Sequence, residues 1–381
     1  MPRDAINEPW LLTPGPLTTS ATVKAAMLRD WGSRDGQFIA LNRRVLDRLV
    51  EIAGGEDTHV CVPLQGSGTF AVEAMIGTLV PRAGKLLILV NGAYGRRVAR
   101  MAAMIGRAHA IVEAPEDRAI DAAAVAAALA ADGAVSHVAV VHCETTAGVL
   151  NPLPEIAAAV AASGRRLLID SMSAFGALPL DARSLPFEAL AASANKCFEG
   201  VPGMAFVIAR REALASAAGN AHSLSLDLHD QWQAMEKNGQ WRFTPPTHVM
   251  AAFDRALDEH RAEGGVAGRG QRYGANCRIL VDGMRAMGFE TLLPNRLQAP
   301  IIVTFRMPAD PRFVFEQFYD RLRQRGYVIY PGKLTVADSF RIGCIGRLGE
   351  VEMKGALAAI RATLAELGVA SGSPVKHAAT A

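Results

Sequence analysis

A single lysine among small residues is the first feature of the sequence that could do chemistry. Lys196 follows Ala192-Ser193-Ala194-Asn195 and precedes the turn Gly200-Val201-Pro202-Gly203. It is one of only seven lysines among 40 basic residues, so arginine supplies most of the positive charge elsewhere. Because a small, apolar setting disfavours the ammonium form, this amine could lose its proton and attack a carbonyl group. A salt-bridged lysine at the end of a strand is the alternative that this stretch alone leaves open.

An aspartate ends the apolar strand that precedes this lysine. Asp170 follows Leu167-Leu168-Ile169 and lies 26 residues before Lys196. A carboxylate at the end of a buried strand needs a cation close by, because burial of an unpaired charge is costly. If a pyridine nitrogen supplied that cation, the aspartate would keep it protonated and the ring would act as an electron sink. An aspartate that caps a helix is the alternative.

A glycine-rich turn joins a predicted strand to a predicted helix at Gln65-Gly66-Ser67-Gly68-Thr69. Glycines allow the backbone to approach a phosphate, and the free amides and dipole of a helix N-terminus attract its charge. The dinucleotide-binding fingerprint also needs an acidic residue at the end of the next strand. That strand ends in Asn91-Gly92 instead. The turn therefore predicts a phosphate site rather than a dinucleotide site, with a purely structural turn as the alternative.

Two more strand ends carry candidate ligand contacts. In Gly92-Ala93-Tyr94-Gly95, the glycines would let the tyrosine ring lean over a flat ligand, and a surface tyrosine in a turn is the alternative. In His142-Cys143-Glu144-Thr145-Thr146, neighbouring strand residues point to opposite faces and cannot bind one metal ion together. We therefore expect no metal site here, and we expect the hydroxyls of Thr145 and Thr146 to contact a ligand oxygen.

The four groups of residues match the needs of one cofactor. A phosphate-binding turn, an aromatic ring, a strand-end aspartate and a lysine are the parts that hold pyridoxal phosphate. Each of them follows a predicted strand. The sequence therefore predicts a pyridoxal phosphate site built from strand ends.

The elements that must position these residues alternate along the chain. Strands separated by helices of about a dozen residues predict a mostly parallel sheet with helices on both faces. Such sheets bind ligands beyond the carboxyl ends of their strands, which is where the residues above lie. The seven predicted strands cover residues 59–64, 85–90, 108–112, 137–142, 166–169, 191–193 and 205–208.

The chain is long enough for two domains. Its 381 residues exceed one ordinary domain and provide a sizeable core. The alternating pattern also gives way to a smaller α+β pattern beyond about residue 265. We predict an extended N-terminal arm at 1–20, a large cofactor-binding α/β domain at 21–264, a small C-terminal domain at 265–369 and a disordered tail at 370–381.

Two segments depart from the regular pattern. The aromatic and polar stretch 224–246 ends in a double proline, and we expect an irregular connection there. The helix predicted from 266 to 287 contains several glycines, and we expect one interruption in it. The predicted domain boundary lies between these two segments.

Composition excludes several function classes. The net charge of +3 provides no basic surface field for nucleic acid. Five widely spaced cysteines argue against a disulfide framework and against a thiolate metal site. The first ten residues lack a secretory apolar core, and no uncharged apolar run approaches the roughly 18 residues of a membrane span. We expect a cytoplasmic protein without a membrane partner.

The motifs together resemble a known family over nearly the whole chain, the class V aminotransferases of fold-type I. The resemblance is strongest to the branch that transfers the amino group of 2-aminoethylphosphonate to pyruvate. Related alanine:glyoxylate and serine:glyoxylate enzymes carry a tryptophan in place of Tyr94. The matching segments are 12–16, 65–69, 91–95, 144–146, 170–176, 193–196, 201–203, 223–228, 328–333 and 340–343.

The resemblance implies a role for each site residue. Lys196 would bind pyridoxal 5′-phosphate covalently, and Asp170 would form a salt bridge with its pyridine nitrogen. Tyr94 would stack on the ring, and Thr145 or Thr146 would contact the phenolic oxygen. Arg341 would bind the substrate anion through a bidentate contact. The cofactor phosphate would be held by Ser67, Gly68, Thr69, Asn195 and Thr244 of the partner subunit, which implies a homodimer with shared active sites.

The resemblance also implies an activity, the conversion of 2-aminoethylphosphonate and pyruvate to phosphonoacetaldehyde and L-alanine in phosphonate catabolism. An aminotransferase for another small amine, such as the alanine:glyoxylate type, is the alternative within the family. A nucleotide-binding module that uses only the turn at 66–69 is the alternative from another class.

Overall fold

The computed structural model describes residues 8–334 and 337–375, in which strands and helices alternate as predicted. The first half contains β1 (Trp10–Leu11), α1 (Ala21–Ala25), α2 (Gly36–Ile52), β2 (His59–Gln65), α3 (Gly68–Leu79), β3 (Lys85–Val90), α4 (Ala93–Met104), β4 (Ala108–Glu113), α5 (Ala122–Ala131), β5 (Val135–Val141), β6 (Cys143–Glu144), β7 (Val149–Leu150), α6 (Leu153–Ala162) and β8 (Arg166–Asp170). The second half contains β9 (Ala189–Ser193), β10 (Met204–Arg210), α7 (Arg211–Ala215), α8 (Leu228–Asn238), α9 (Thr247–Ala262), α10 (Gly265–Ala286), β11 (Ile302–Arg306), α11 (Phe315–Gln324), β12 (Tyr327–Val328), β13 (Tyr330–Pro331), β14 (Ser339–Gly343) and α12 (Glu350–Glu366).

All seven predicted strands join one sheet, in the order β2-β10-β9-β8-β5-β3-β4. Neighbouring strands from β9 to β4 in this order are parallel. β10 is antiparallel to both of its neighbours, β2 and β9. The prediction of a mostly parallel, seven-stranded sheet is confirmed.

Helices cover both faces of this sheet because its strands are apolar on both sides. On one face, α2, α5, α6 and α9 bury a core that includes Phe38, Leu49 and Phe253. On the other face, α3, α4, α7 and α8 bury a second core that includes Met75 and Leu214. Strands buried on two faces are typical of parallel sheets.

The direction of the strands determines where the polar motifs meet. β2, β3, β5, β8 and β9 all run the same way, because β2 and β9 are both antiparallel to β10. Their carboxyl ends therefore meet at one edge of the sheet. The last residues of these strands are Gln65, Val90, Val141, Asp170 and Ser193. Each of them borders one of the motifs found in the sequence.

A second, three-stranded sheet has the order β11-β14-β13 and packs with α10, α11 and α12 around its own core. β1 from the N-terminal arm pairs in parallel with β12, Trp10 opposite Tyr327 and Leu11 opposite Val328. The arm is thus attached to the C-terminal part of the chain. The division at residues 20, 264 and 369 remains a prediction, and residues 1–7 of the arm lie outside the described part.

The two expected irregularities are found only in part, since residues 239–246 have no regular structure but α8 and α10 are continuous helices. The segment 224–246 contains α8, which Asp227 caps by accepting a hydrogen bond from the amide of Asp230 at 3.0 Å. α10 runs without a break from Gly265 to Ala286. Its glycines are sites of close packing, since a side chain at Gly270 would overlap the carbonyl of Ala177. Glycine in a helix is tolerated where another backbone approaches.

The first residues of the predicted tail contact the rest of the chain. The amide of Ala309 donates to the carbonyl of Ser373 at 2.8 Å, and the amide of Gly372 donates to the carbonyl of Met287 at 2.9 Å. Residues 376–381 lie outside the described part, so a disordered tail remains a prediction. Within residues 8–334 and 337–375, no helix combines the length and apolar character that crossing a membrane requires.

Candidate active site

A cleft of about 180 Å³ lies at the edge of the large sheet where the strand ends meet. Its walls come from segments that are far apart in the sequence, because parallel strands bring their carboxyl ends together. Eight of the predicted site residues line it: Ser67, Gly68, Thr69, Tyr94, Thr145, Asp170, Asn195 and Lys196.

Lys196 lies in the turn between β9 and β10, with its side chain in the cleft. Its Nζ donates a hydrogen bond to the carbonyl of Pro14 at 2.7 Å, so its partner is a backbone carbonyl rather than the carboxylate of a salt bridge. Burial lowers the pKa of this amine to about 8, against the opposing effect of Asp170. A substantial fraction of the amine is therefore neutral and nucleophilic near pH 8.

The contact with Pro14 depends on a glycine in the N-terminal arm. Gly15 has φ of +117°, and an added Cβ would lie 2.6 Å from both Cδ and Nζ of Lys196. Only glycine combines this backbone conformation with so close an approach. The arm, which the sequence predicted as an extended segment, thus forms part of the wall around the lysine.

Asp170 ends β8 and is 9% exposed. Its Oδ1 accepts one hydrogen bond, from the amide of Met172 at 3.1 Å. The chain continues from here in turns to β9, so Asp170 does not cap a helix. Among the residues that the structure describes, no donor contacts Oδ2. Burial raises the pKa of this carboxyl to about 6, and nearby Glu144 adds to the increase. A cation in the cleft would stabilise the ionised form.

The glycine-rich turn begins α3, and Ser67 is its N-cap residue. The side chain of Ser67 makes no capping hydrogen bond, and the amides at the start of α3 point toward the cleft edge with the positive end of the helix dipole. A Cβ at Gly68 would overlap the end of the Met172 side chain, so a larger residue there would displace that side chain within the cleft. Across the cleft, Ser193 Oγ is buried and has no hydrogen-bond partner among the described residues. This arrangement is suited to an anion.

Tyr94 lies in the first turn of α4, at the side of the cleft. The guanidinium carbon of Arg97 is 4.9 Å from the centre of its ring, and Nζ of Lys333 is 5.8 Å from it. Arg97 also lines the cleft and donates to Thr69 Oγ1 at 3.3 Å. The sequence analysis did not identify Arg97. Its position three residues after Tyr94, on the same face of a helix, was the signal available.

The two threonines after β6 have different environments. Thr145 lines the cleft. Thr146 is fully buried, and its hydroxyl donates to Glu144 Oε1 at 2.6 Å and accepts from the amide of Ala93 at 3.0 Å. Of the two expected contacts to a ligand oxygen, only Thr145 is placed to make one.

Arg341 and Thr244 lie outside the lining of the cleft. Arg341 on β14 is 1% exposed, and it donates from Nε to the carbonyl of Pro331 at 3.1 Å and from Nη1 to that of Thr145 at 2.9 Å. The second contact places it beside the cleft wall, and burial lowers its pKa. Thr244, between α8 and α9, is exposed.

Glu144 is a further residue that the sequence analysis missed as a site component. It is fully buried, and its two carboxylate oxygens accept hydrogen bonds from the amides of Tyr94 (3.1 Å), Gly95 (3.3 Å) and Thr146 (3.1 Å) and from the Thr146 hydroxyl. Burial raises its pKa despite these bonds. Glu144 therefore links the first turn of α4, which carries Tyr94, to the turn that carries Thr145.

The neighbours of Glu144 have other partners. His142 is buried, its Nδ1 contacts Ser171 Oγ at 3.0 Å, and burial lowers its pKa to about 4. Cys143 is buried and unpaired in the described structure. In residues 8–334 and 337–375, no group of three or more histidine, cysteine, aspartate or glutamate side chains is placed to hold a metal ion.

Replacement of Glu144 tests its role in holding this part of the site. Glu144→Ala leaves buried N–H and O–H donors without an acceptor, so we expect the free energy of unfolding of the cofactor-free protein to fall by about 3 kcal/mol. Urea unfolding measures this change. The matched control is Glu350→Ala at an exposed ion pair with Lys354, where we expect a change within about 0.5 kcal/mol. Equal midpoints for Glu144→Ala and wild type would contradict the proposed role.

Comparisons with known proteins find relatives over nearly the whole chain. The family model described as aminotransferase class-V matches residues 21–311. A 2-aminoethylphosphonate–pyruvate transaminase of Pseudomonas fluorescens is 56% identical over 365 residues, which cover 96% of this chain and 99% of that protein. A protein of the same name from Cupriavidus necator is 54% identical over 373 residues, covering 98% and 99%.

Solved structures confirm the expected fold. The pyridoxamine-pyruvate aminotransferase of Mesorhizobium loti has a TM-score of 0.88 at 25% identity, covering 98% of this chain and 96% of that one. An alanine–glyoxylate aminotransferase of Nostoc sp. also has a TM-score of 0.88, at 22% identity, covering 94% and 95%. Since the family model spans most of the chain and relatives share more than half of its residues, this protein belongs to the class V aminotransferase family.

Proposed function

We propose that this chain transfers the amino group of 2-aminoethylphosphonate to pyruvate and forms phosphonoacetaldehyde and L-alanine. The observation that carries the transamination is the pairing, in one cleft, of a buried lysine of lowered pKa with a buried aspartate of raised pKa. The choice of substrates is supported by 56% identity, over 96% of the chain, to a 2-aminoethylphosphonate–pyruvate transaminase.

Pyridoxal 5′-phosphate is the cofactor of class V aminotransferases and of this chain, and the residues of the cleft fit it. The free amides at the start of α3, with Ser67 and Thr69, match a phosphate. The unpartnered oxygen of Asp170 matches a protonated ring nitrogen. The orphaned hydroxyl of Ser193 lies in the same cleft and supports the presence of a polar ligand there.

When bound, the cofactor supplies a carbonyl carbon that exchanges amino groups and a ring that withdraws electrons from the substrate carbon. Lys196 would hold this carbonyl carbon until the substrate amine takes its place. Its neutral Nζ would then accept the proton from the substrate carbon and donate it to the cofactor. Asp170 would keep the ring nitrogen protonated, and Tyr94 would support the ring. With pyruvate as acceptor, the same residues act in the reverse order.

Arg341 is the proposed binding residue for the substrate anion. Its contacts with Pro331 and Thr145 use Nε–H and one hydrogen of Nη1. The second Nη1 hydrogen and both Nη2 hydrogens are left for a carboxylate or phosphonate. The two carbonyl contacts also fix the plane of the guanidinium, which reduces the entropy that binding would otherwise cost.

We also propose a homodimer in which Thr244 of the partner subunit contacts the cofactor phosphate. In support, Thr244 is exposed beside Phe243, whose side chain is 50% exposed, and Leu224 nearby is 73% exposed. Arg242 joins these residues, since its Nη2 donates to the carbonyl of Leu224 at 2.8 Å. Exposed apolar side chains of this kind are typical of interfaces. A monomer mass in light scattering would contradict the proposal.

A cytoplasmic location is proposed on the basis of the cysteines. All five are free and buried. Disulfides are rare in reducing compartments, and a chain that uses its cysteines as small apolar residues fits such a compartment.

The nucleotide-binding alternative lacks the acidic residue that would bind a ribose. Asn91, where a ribose-binding acid would be needed, is 1% exposed. Its side-chain amide donates to Asn151 Oδ1 and to the carbonyl of Arg118, both at 2.9 Å. It is therefore occupied by structural contacts.

An amine panel tests the proposed substrate. The purified protein, loaded with pyridoxal phosphate, would be given pyruvate or glyoxylate with 2-aminoethylphosphonate, 3-aminopropanoate, L-alanine or L-serine. We expect kcat/KM for 2-aminoethylphosphonate to exceed that of 3-aminopropanoate and of L-serine by about 100-fold or more, since a site built for a polar group rejects ligands that lack it. L-Alanine is the product of the proposed reaction, so we expect it to react with glyoxylate, but more slowly than 2-aminoethylphosphonate. Faster turnover of a non-phosphonate amine would overturn the proposal in favour of the alanine:glyoxylate type or another small amine.

A further inference from the structure

Three positively charged side chains from separate parts of the chain lie near Tyr94, and two of them lie over its ring. Arg97 on α4 lies 4.9 Å from the ring centre, and Lys333, after β13, lies 5.8 Å from it. Arg341 on β14 contacts the Thr145 carbonyl and lies close enough to Tyr94 for the tyrosine to affect its pKa. Lys333 follows Pro331 by two residues, and the Pro331 carbonyl accepts from Arg341 Nε at 3.1 Å. Lys333 and Arg341 are therefore positioned by the same strand pair.

These three cations have no carboxylate partner in the part of the chain that the structure describes. The contrast with neighbouring arginines is clear, because Arg96 pairs with Glu113 at 2.9 Å and with Glu116 at 3.3 Å. Of the two carboxyl groups nearest the cleft, Glu144 accepts four hydrogen bonds from other donors, and Asp170 bonds only the Met172 amide among the described residues and forms no ion pair with these cations. A cluster of like charges without counterions is costly unless a ligand supplies the negative charge.

The three cations differ in the anionic group that each would bind. Arg97 donates to Thr69, within the turn proposed for the cofactor phosphate, and so belongs to that end of the cleft. Arg341 carries one charge, which matches the single charge of a carboxylate such as that of pyruvate. A phosphonate has three oxygens and carries up to two charges. It therefore needs a second cation next to Arg341.

We propose that Lys333 is this second cation and that it distinguishes a phosphonate from a carboxylate in the substrate site. This inference rests on the proposed function and names the residue that gives it specificity. A lysine suits the task, because its compact ammonium group has three donors and can meet a tetrahedral anion from any side. It is one of only seven lysines in a chain that otherwise uses arginine.

The test compares Lys333→Met with Lys333→Arg in the holoenzyme. We expect Lys333→Met to raise KM for 2-aminoethylphosphonate by about 10- to 100-fold. This is the loss of affinity expected when one hydrogen bond between charged groups is removed. KM for pyruvate, and the inhibition constant of 2-aminoethanesulfonate, should change by less than about threefold, since these anions carry a single charge. Lys333→Arg, which keeps the charge, should restore KM to within about threefold of the wild-type value. The matched control is Lys237→Met, at an exposed lysine in the last turn of α8.

Two results would overturn the inference. If Lys333→Met leaves KM for 2-aminoethylphosphonate unchanged, Lys333 makes only a contact with the Tyr94 ring. If it raises KM for 2-aminoethylphosphonate, KM for pyruvate and the inhibition constant of 2-aminoethanesulfonate in the same proportion, Lys333 supports the site but does not distinguish a doubly charged anion from a singly charged one. Failure of the wild-type enzyme to use 2-aminoethylphosphonate would instead refute the proposed function. The near-visible absorbance of bound cofactor shows in each case that the variant is folded and loaded.

Discussion

Lys196→Ala is expected to lower the rate of transamination by about 10²- to 10⁴-fold, the range associated with loss of a positioned general base. The variant lacks both the amine that holds the cofactor and the group that moves the proton. Pre-steady-state and steady-state rates with 2-aminoethylphosphonate and pyruvate measure the loss. The absorbance of the cofactor should also shift from that of a lysine-bound to that of a freely bound molecule.

Two controls separate this chemical role from a structural one. Small primary amines added to Lys196→Ala should restore part of the proton transfer, which a folding defect would not allow. Lys354→Ala, at an exposed ion pair on α12, should behave as wild type. Retention of wild-type turnover or of the lysine-bound absorbance in Lys196→Ala would remove the basis of the proposed mechanism.

The lowered pKa of Lys196 adds a pH dependence in the wild-type protein. An amine with a pKa of about 8 is mostly protonated at pH 7 and mostly neutral at pH 9. The rate at which the cofactor-free protein binds pyridoxal phosphate covalently should therefore rise up to about pH 8 and then level off. A rate that kept rising toward pH 10.5, the ordinary pKa of lysine, would contradict the effect of burial.

Asp170→Asn is the second replacement with a large expected effect. An amide cannot keep the ring nitrogen protonated, so we expect kcat to fall by about 10²- to 10³-fold, as for other losses of preorganised electrostatic stabilisation. KM should change less, because the substrate does not contact Asp170. Asp47→Asn, at a side chain that is 74% exposed, is the matched control.

The same replacement should stabilise the protein when the cofactor is absent. The folded-state pKa of Asp170 is raised to about 6 from 3.8, so the buried carboxylate opposes folding wherever it is ionised. The cost is absent below about pH 4, grows between pH 4 and 6 and is constant above. Removing it should raise the free energy of unfolding at pH 7 by up to about 3 kcal/mol.

Urea unfolding of the cofactor-free wild type and of Asp170→Asn between pH 4 and pH 8 measures this difference. A stability difference that did not change with pH would show that the carboxyl titrates normally in the folded protein. A variant that is less active and more stable would show that Asp170 serves cofactor function and lowers the stability of the cofactor-free protein.

The local pattern of the sequence accounts for most of the large sheet and of the cleft. Each of the seven strands is a short apolar run, and parallel strands bring their carboxyl ends together whatever lies between them. The motifs around Ser67, Tyr94, Asp170 and Lys196 therefore had to meet once the strands were recognised. The resemblance to class V aminotransferases then added roles that the residues alone left open.

Segments whose structure depends on distant contacts were predicted less well. α8 was missed because its buried residues, Leu228, Gln231 and Trp232, include a polar side chain, and this obscures the helical period. α10 was expected to break because glycine disfavours a helix locally, whereas packing against Ala177 and Leu357 makes small residues necessary there. Tertiary packing outweighs local propensity at both places.

The sequence by itself determined the alternating α/β architecture, the strand ends and the residue types that suit pyridoxal phosphate, because all of these depend on neighbours along the chain. Only the tertiary structure decided that Pro14 binds the lysine amine, that Glu144 holds the Tyr94 turn and that Thr145 rather than Thr146 faces the cleft. It also placed Lys333 over the Tyr94 ring and Arg341 against the Thr145 carbonyl. These contacts join residues 50 to about 240 positions apart, and their geometry follows from how the two sheets and the arm pack.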